Sequence, residues 1–230
     1  MAAAVWARPF LFTHSDEYIK IVNALNSRKR GMTRDDIVSA TKLTNGGGLT
    51  RKLEELEQCG FIRRYTSLGD KKFLYQLVDF YTLFYYSFIK GGKEYDEETW
   101  MHLQGHPRHA VWLGLGFERL CFAHVAELKR ALGISGIGTR TYALNADGAQ
   151  VDMVIERADR FVNLCEMKYS GTEYAISKAE WGKIERRAAV VREKLGGRSV
   201  LVTMVTAHGV SENDYSRNGV QKEVRLEELF

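Results

Sequence analysis

Two apolar-rich runs, QVDMVIE (150–156) and FVNLCEMK (161–168), stand four residues apart across the polar tetrad RADR. Their length and β-branched content are those of strands, and a short polar link between such runs closes them into an antiparallel hairpin. A hairpin fixes register as well as direction. Closure around Asp159 sets Asp152 opposite Glu166, and Asp152, Val154, Val162, Leu164, Glu166 and Lys168 then share a face, because alternate strand residues point the same way. Two carboxylates and an ammonium are thereby predicted to meet at the open end of one hairpin.

Adjacent carboxylates repel unless a proton or a cation stands between them, which makes a divalent metal a natural occupant. Magnesium fits: it takes oxygen ligands, keeps several waters and uses one or two carboxylates. The expected ligands are Asp152 and Glu166. Lys168 adds positive charge where a phosphoryl oxyanion develops, or orients an attacking water. The competing account is an ion-pair network in which Lys168 neutralises both acids without metal. Exposed pairs of that kind contribute only about 0–1 kcal/mol, a weak reason for such a cluster.

The hairpin belongs to a longer pattern. GLGFERLCFAHVAELKRALGI (114–134) reads as one helix with Phe117, Leu120, Cys121, His124, Val125 and Leu128 on its apolar stripe and Glu118 beside it. TRTYAL (139–144) is a strand. After the hairpin, SKAEWGKIERRAAVVREKLGG (177–197) is a helix with Trp181, Ile184, Ala188, Val191 and Leu195 inward, and SVLVTMVT (199–206) reads as a central buried strand. The predicted order over 113–230 is α-β-β-β-α-β.

The first part of the chain has another period. Tyr18, Ile21, Val22 and Leu25 mark one helix, capped by Ser15 or Asp16. Thr33 and Asp36 make a capping-box start for a second, and Leu49, Leu53 and Leu56 stripe a third that stops at Gly60. FIRRY and KKFLYQL then form a hairpin around Gly69-Asp70. Three helices and a hairpin, about His14 to Val78, resemble a winged helix. That fold implies DNA contact through the third helix and the wing. The third helix carries Arg51 and Lys52 but also Glu54, Glu55 and Glu57, which oppose phosphate. Arg63, Arg64, Lys71 and Lys72 on the wing are the expected phosphate contacts there, or alternatively guards of a strand edge, with the domain then a packing or dimerisation module. NGGG (45–48) is no phosphate loop, since G-x-x-x-x-G-K-[ST] occurs nowhere. The aromatic DFYTLFYYSFIK (79–90) is expected to pack between the two halves, giving domains 1–78 and 113–230 with 79–112 linking them.

At 45% hydrophobic and 27% charged residues the chain is globular, and a net charge of +4 permits an acidic partner without requiring one. Cys59, Cys121 and Cys165 form no C-x-x-C pair. With no bilayer-length apolar run and no basic region ahead of MAAAVWARPFLF, the expectation is a cytoplasmic protein without membrane contact.

Asp152 followed by Glu166-Met167-Lys168 in α-β-β-β-α-β order resembles the PD-(D/E)XK nuclease superfamily, with Glu118 matching the further acid on its first helix. GFERLCFAHVAELKRALGI, GAQVDMVIERADRFVNLCEMKYS and RLEELF are similar to the C-terminal region of bacterial P-loop (AAA-type) ATPases that carry a winged helix and a nuclease-like domain. The resemblance implies an α+β chain with an N-terminal winged helix and a restriction-endonuclease-like mixed sheet. The implied activity is Mg-dependent DNA cleavage, with Asp152 and Glu166 holding the metal with help from the Met167 carbonyl, Lys168 positioning water and Glu118 tuning the site. Lys178, Lys183, Arg186 and Arg187 on the second helix are the expected phosphate contacts. It equally accommodates a non-catalytic DNA-binding module or a partner of a P-loop ATPase. The chain departs from the pattern in Val151, where the superfamily's name has proline, in Gln150, acidic in many relatives, and in lacking the ATPase module, so no ATP hydrolysis is expected.

Overall fold

The protein, seen in a computed structural model, is described over residues 15–68, 73–90, 98–146 and 149–230. The first fourteen residues, the Gly69-Asp70 turn, Lys71 and Lys72 lie outside these. The chain forms two units: Met1–Tyr65 with Lys72–Gly105, and Thr66–Lys71 with His106–Phe230.

In the first unit, α1 (Ser15–Ser27), α2 (Arg34–Thr41) and α3 (Gly47–Gln58) bring their apolar stripes together. Ile21, Leu25, Ile37, Leu53 and Leu56 are buried in one core. Each such side chain contributes roughly 1.5–3 kcal/mol by leaving water. The capping box is present. The Asp36 amide donates to Thr33 Oγ1 (3.1 Å) and the Thr33 amide to Asp36 Oδ2 (3.0 Å). β2 (Ile62–Ser67) and β3 (Phe73–Leu77) follow, and the two-residue β1 (Met32–Thr33), not anticipated from sequence, lies antiparallel to β3 with Met32 beside Tyr75. Gly31 makes this approach: its φ is +84° and a Cβ there would stand 2.8 Å from the Tyr75 carbonyl oxygen.

The aromatic segment forms α4 (Phe80–Phe84), capped by Asp79, and a π-helical turn (Tyr85–Ile89). Leu83 and Tyr86 pack on the first core, and Trp100 of α5 (Thr99–Gln104) lies against Phe84 and Phe88. The 79–112 link that the sequence predicts thus divides at Gly105 between the two units.

The second unit opens with α6 (Pro107–Ala123), where Pro107 takes the first helical position and the His106 ring accepts the Arg108 amide at 3.1 Å. The single helix expected over 114–134 is two: the chain leaves helical geometry at His124 (φ −106°, ψ 33°) and resumes as α7 (Val125–Ala131). β4 (Thr139–Ala146), β5 (Ala149–Arg157) and β6 (Phe161–Lys168) run antiparallel in sequence. α8 (Lys178–Lys194), capped by Ser177, crosses over to β7 (Ser199–Thr206), which is parallel to β6. Beyond the expected order lie α9 (Asp214–Gly219), β8 (Lys222–Arg225), parallel to β7, and a 3-10 turn (Leu226–Leu229). Thr66 and Ser67 lie parallel to Tyr142 and Ala143 at the other edge.

Helices cover both faces of this sheet. Met153, Ile155, Cys165 and Met167 meet Phe117 and Cys121 of α6 and Leu128 of α7. Val154, Val162 and Leu164 meet Val191 of α8, and Val202 and Met204 meet Ile184. Strict alternation breaks once. Tyr142 pairs with Val154 but Leu144 with Val151, so β5 carries one extra residue at Asp152-Met153, a β-bulge, and Val151 joins the α8 face with Val154. Among the described residues no helix is long and apolar enough to cross a membrane.

Candidate active site

The hairpin register is the expected one. Val154 pairs with Leu164 and Met153 with Cys165, and continuing that count brings Asp152 to Glu166. The bulge turns the Asp152 carboxylate toward β6, where Oδ2 accepts the Met167 main-chain N–H at 3.0 Å. Bulges re-aim side chains in this way next to functional sites. Glu166 pairs with Met204 of β7, one residue beyond the last β5 pairing at Cys165, and its side chain is 0% exposed.

The two oxygens of Glu166 have unequal surroundings. Oε2 accepts from Arg187 Nη1 at 2.7 Å and has Lys168 Nζ at 3.7 Å. Oε1 is buried and meets no hydrogen-bond donor among the described residues. A buried acceptor left in this state costs about 1–3 kcal/mol, more when charged. Burial pushes the Glu166 carboxyl up, and the Asp152 charge adds to this. Arg187 and Lys168 pull the other way, and the outcome is about 7.

Lys168 continues the same side of β6 and is 28% exposed, so the site opens from a dry carboxylate to an ammonium in contact with solvent. Glu118, half-buried on α6, lies one helical turn before Cys121, whose thiol is pushed up to about 12 by burial and by the charges of Asp152 and Glu118. Among the described residues no group of three or more His, Cys, Asp or Glu side chains could hold a metal ion. A cation site here rests on two carboxylates and main-chain oxygen, a donor set of the kind magnesium accepts.

The sequence groups Arg187 with the phosphate contacts of α8; its guanidinium makes the shorter of the two ion pairs to Glu166. The sequence held a signal for this. Arg187 is three residues after Ile184 and four before Val191, both buried, which sets it on the inward side of the helix. Lys178, Lys183 and Arg186 are exposed on α8. On the first unit's hairpin, Arg63 Nη2 donates to Gln76 Oε1 at 2.9 Å. Arg64 lies 3.7 Å from Glu57 and stacks on the Phe73 ring at 4.8 Å. Lys71 falls outside the described residues.

No protein-family model matches the chain, and no curated protein matches it. Among solved structures it is similar to restriction endonuclease FokI bound to DNA and to restriction endonuclease FokI, each at 13% identity and a TM-score of 0.32. The similarity covers 94% of this chain and 43% of the other, so the chain spans less than half the length of those proteins. A likeness at that score carries no weight for this chain's chemistry.

Proposed function

We propose that the second unit is a PD-(D/E)XK-type nuclease domain that hydrolyses DNA phosphodiesters with a divalent cation, magnesium by its ligand chemistry. The observation that carries this reading is Glu166 Oε1, a buried carboxylate oxygen with no donor among the described residues, on a strand beside Asp152. A cation satisfies that oxygen and screens the two acids from each other. Asp152, Glu166 and the Met167 carbonyl are the residues that would hold it. When bound, the ion supplies Lewis acidity at the phosphate and lowers the pKa of water. The residues of the chain do the rest: Lys168 orients the nucleophilic water or offsets charge on the phosphate, Asp152 is aimed by the Met167 amide, and Glu118 adds negative charge behind the site.

We assign the first unit a winged-helix fold with an accessory role, supported by β1 lying between α1 and α2 and pairing with β3. Its third helix is poorly suited to phosphate. Lys52 is turned inward to Glu17 and Arg51 pairs with Glu55, which leaves that helix acidic. Lys178, Lys183 and Arg186 are the better phosphate contacts, joined by Arg63, Arg64 and Lys71 only as a minor set. DNA affinity on this reading is insensitive to sequence and falls steeply with salt.

A second reading has one observation in its favour. The Arg187 ion pair already neutralises Glu166 without metal, as in a non-catalytic DNA-binding domain that keeps the fold. Plasmid nicking by the purified chain separates the two. Magnesium-dependent nicking that disappears in Asp152→Asn and Lys168→Met supports the nuclease; DNA binding with no nicking by the parent supports the second reading.

A further inference from the structure

We infer that Arg187 is a positioning residue that fixes Glu166 as a one-oxygen ligand, so that the site takes a single divalent cation. This rests on the reading of Asp152 and Glu166 as a cation site and adds its stoichiometry and the residue that sets it.

Glu166 pairs with Met204 of β7 and is fully buried, so its carboxylate depends for orientation on groups the fold brings to it. Two of these are cationic, and both address the same oxygen: Arg187 at 2.7 Å and Lys168 at 3.7 Å from Oε2. Oε1 is thereby turned away from them, buried and without a donor among the described residues. A carboxylate that simply wanted neutralising would present both oxygens to a guanidinium fork, as bidentate pairs do. Here one oxygen is held and the other is presented.

The holder is itself held. Arg187 projects from α8 between Ile184 and Val191, which are 1% and 0% exposed, and its own side chain is only 22% exposed. A planar, permanently charged group on a packed stem is a better fixed reference than a lysine. Partners of this sort, which orient a ligand without touching the metal, commonly matter 10- to 100-fold for affinity.

Charge and geometry then limit the number of ions. Asp152 and Glu166 bring two negative charges, and Arg187 and Lys168 already bring two positive ones within the same cluster. Two-metal sites hold their ions about 3.5–4 Å apart, bridged by a carboxylate that shares its oxygens. Glu166 has Oε2 committed to cationic side chains, and Asp152 has Oδ2 on the Met167 amide. One ion is what this donor set accommodates.

Manganese(II), whose free-ion electron paramagnetic resonance signal is lost on binding, is the probe, titrated into the whole chain. The parent is expected to bind one ion, Arg187→Gln to bind it about 10- to 100-fold more weakly, and Arg187→Lys to fall between them. Near-ultraviolet circular dichroism without metal checks the fold, and if Arg187→Gln does not fold the Arg187→Lys result decides. Two ions on the parent, or both Arg187 variants binding as tightly as the parent, overturns this inference alone. A parent that binds no more manganese than Asp152→Asn overturns the cation site itself, and this inference with it.

Discussion

Lys52 in the first unit and Glu166 in the second are both charged side chains inside the fold, and they are treated differently. Lys52, 9% exposed, reaches Glu17 at 2.9 Å, the Gly48 carbonyl at 3.5 Å and the Tyr18 ring at 5.8 Å. Its charge is answered by an anion, a dipole and a π face. Glu166 has Arg187 and Lys168 on one oxygen, nothing among the described residues on the other, and a second carboxylate as neighbour. A buried charge that the fold completes is a structural feature. One that the fold leaves incomplete asks for a ligand, because the unanswered oxygen destabilises the metal-free protein and gains most from a cation.

If the two regions differ in charge and not in packing, their cores should respond alike. Leu56→Ala and Leu164→Ala remove side chains that are both 0% exposed and should each lower stability by roughly 2–5 kcal/mol in urea unfolding. A loss below 1 kcal/mol at either position would break the parity. The buried charges should then respond with opposite sign. Glu17→Ala strands Lys52 and should destabilise by about 2–3 kcal/mol, below the full value for a buried pair because Glu17 is 38% exposed.

Glu166→Gln should stabilise the metal-free protein at pH 8. Its carboxyl is raised from 4.5 to about 7, so between those values the folded state holds a proton that the unfolded state has released. Stability from this group therefore falls as pH rises through that window, by on the order of 2–3 kcal/mol between pH 5 and pH 8. Melting curves without divalent ions at both pH values check it: the parent should lose more than Glu166→Gln on going to pH 8, and equal losses would contradict the shift. The smallest expected effect is Thr33→Ala, which removes the cap of α2 for about 1 kcal/mol with no change at the carboxylates.

Much of this was legible in the sequence because it depends on local periodicity. β6 has the bounds of FVNLCEMK, the hairpin register follows from its four-residue link, and the stripes of α1, α3 and α8 are the buried ones. What escaped depends on tertiary partners. The break at His124 interrupts a stripe that is itself continuous, and β1 and β8, two and four residues long, exist only because β3 and β7 offer edges. The bulge at Asp152 is set by pairing with β4 and leaves no mark in β5 itself. Arg187 stands in a basic run with Lys183 and Arg186 that reads by charge as a solvent face, although its spacing from Ile184 and Val191 points inward.

Thermal unfolding at pH 8 with and without magnesium tests most directly whether the Glu166 carboxylate is an incomplete cation site. With the ion about a hundredfold above its dissociation constant, binding to the native state should stabilise the parent by about 2.7 kcal/mol, while Glu166→Gln should show little shift. A parent that magnesium leaves unmoved, or a Glu166→Gln variant that shifts as far as the parent, would contradict it.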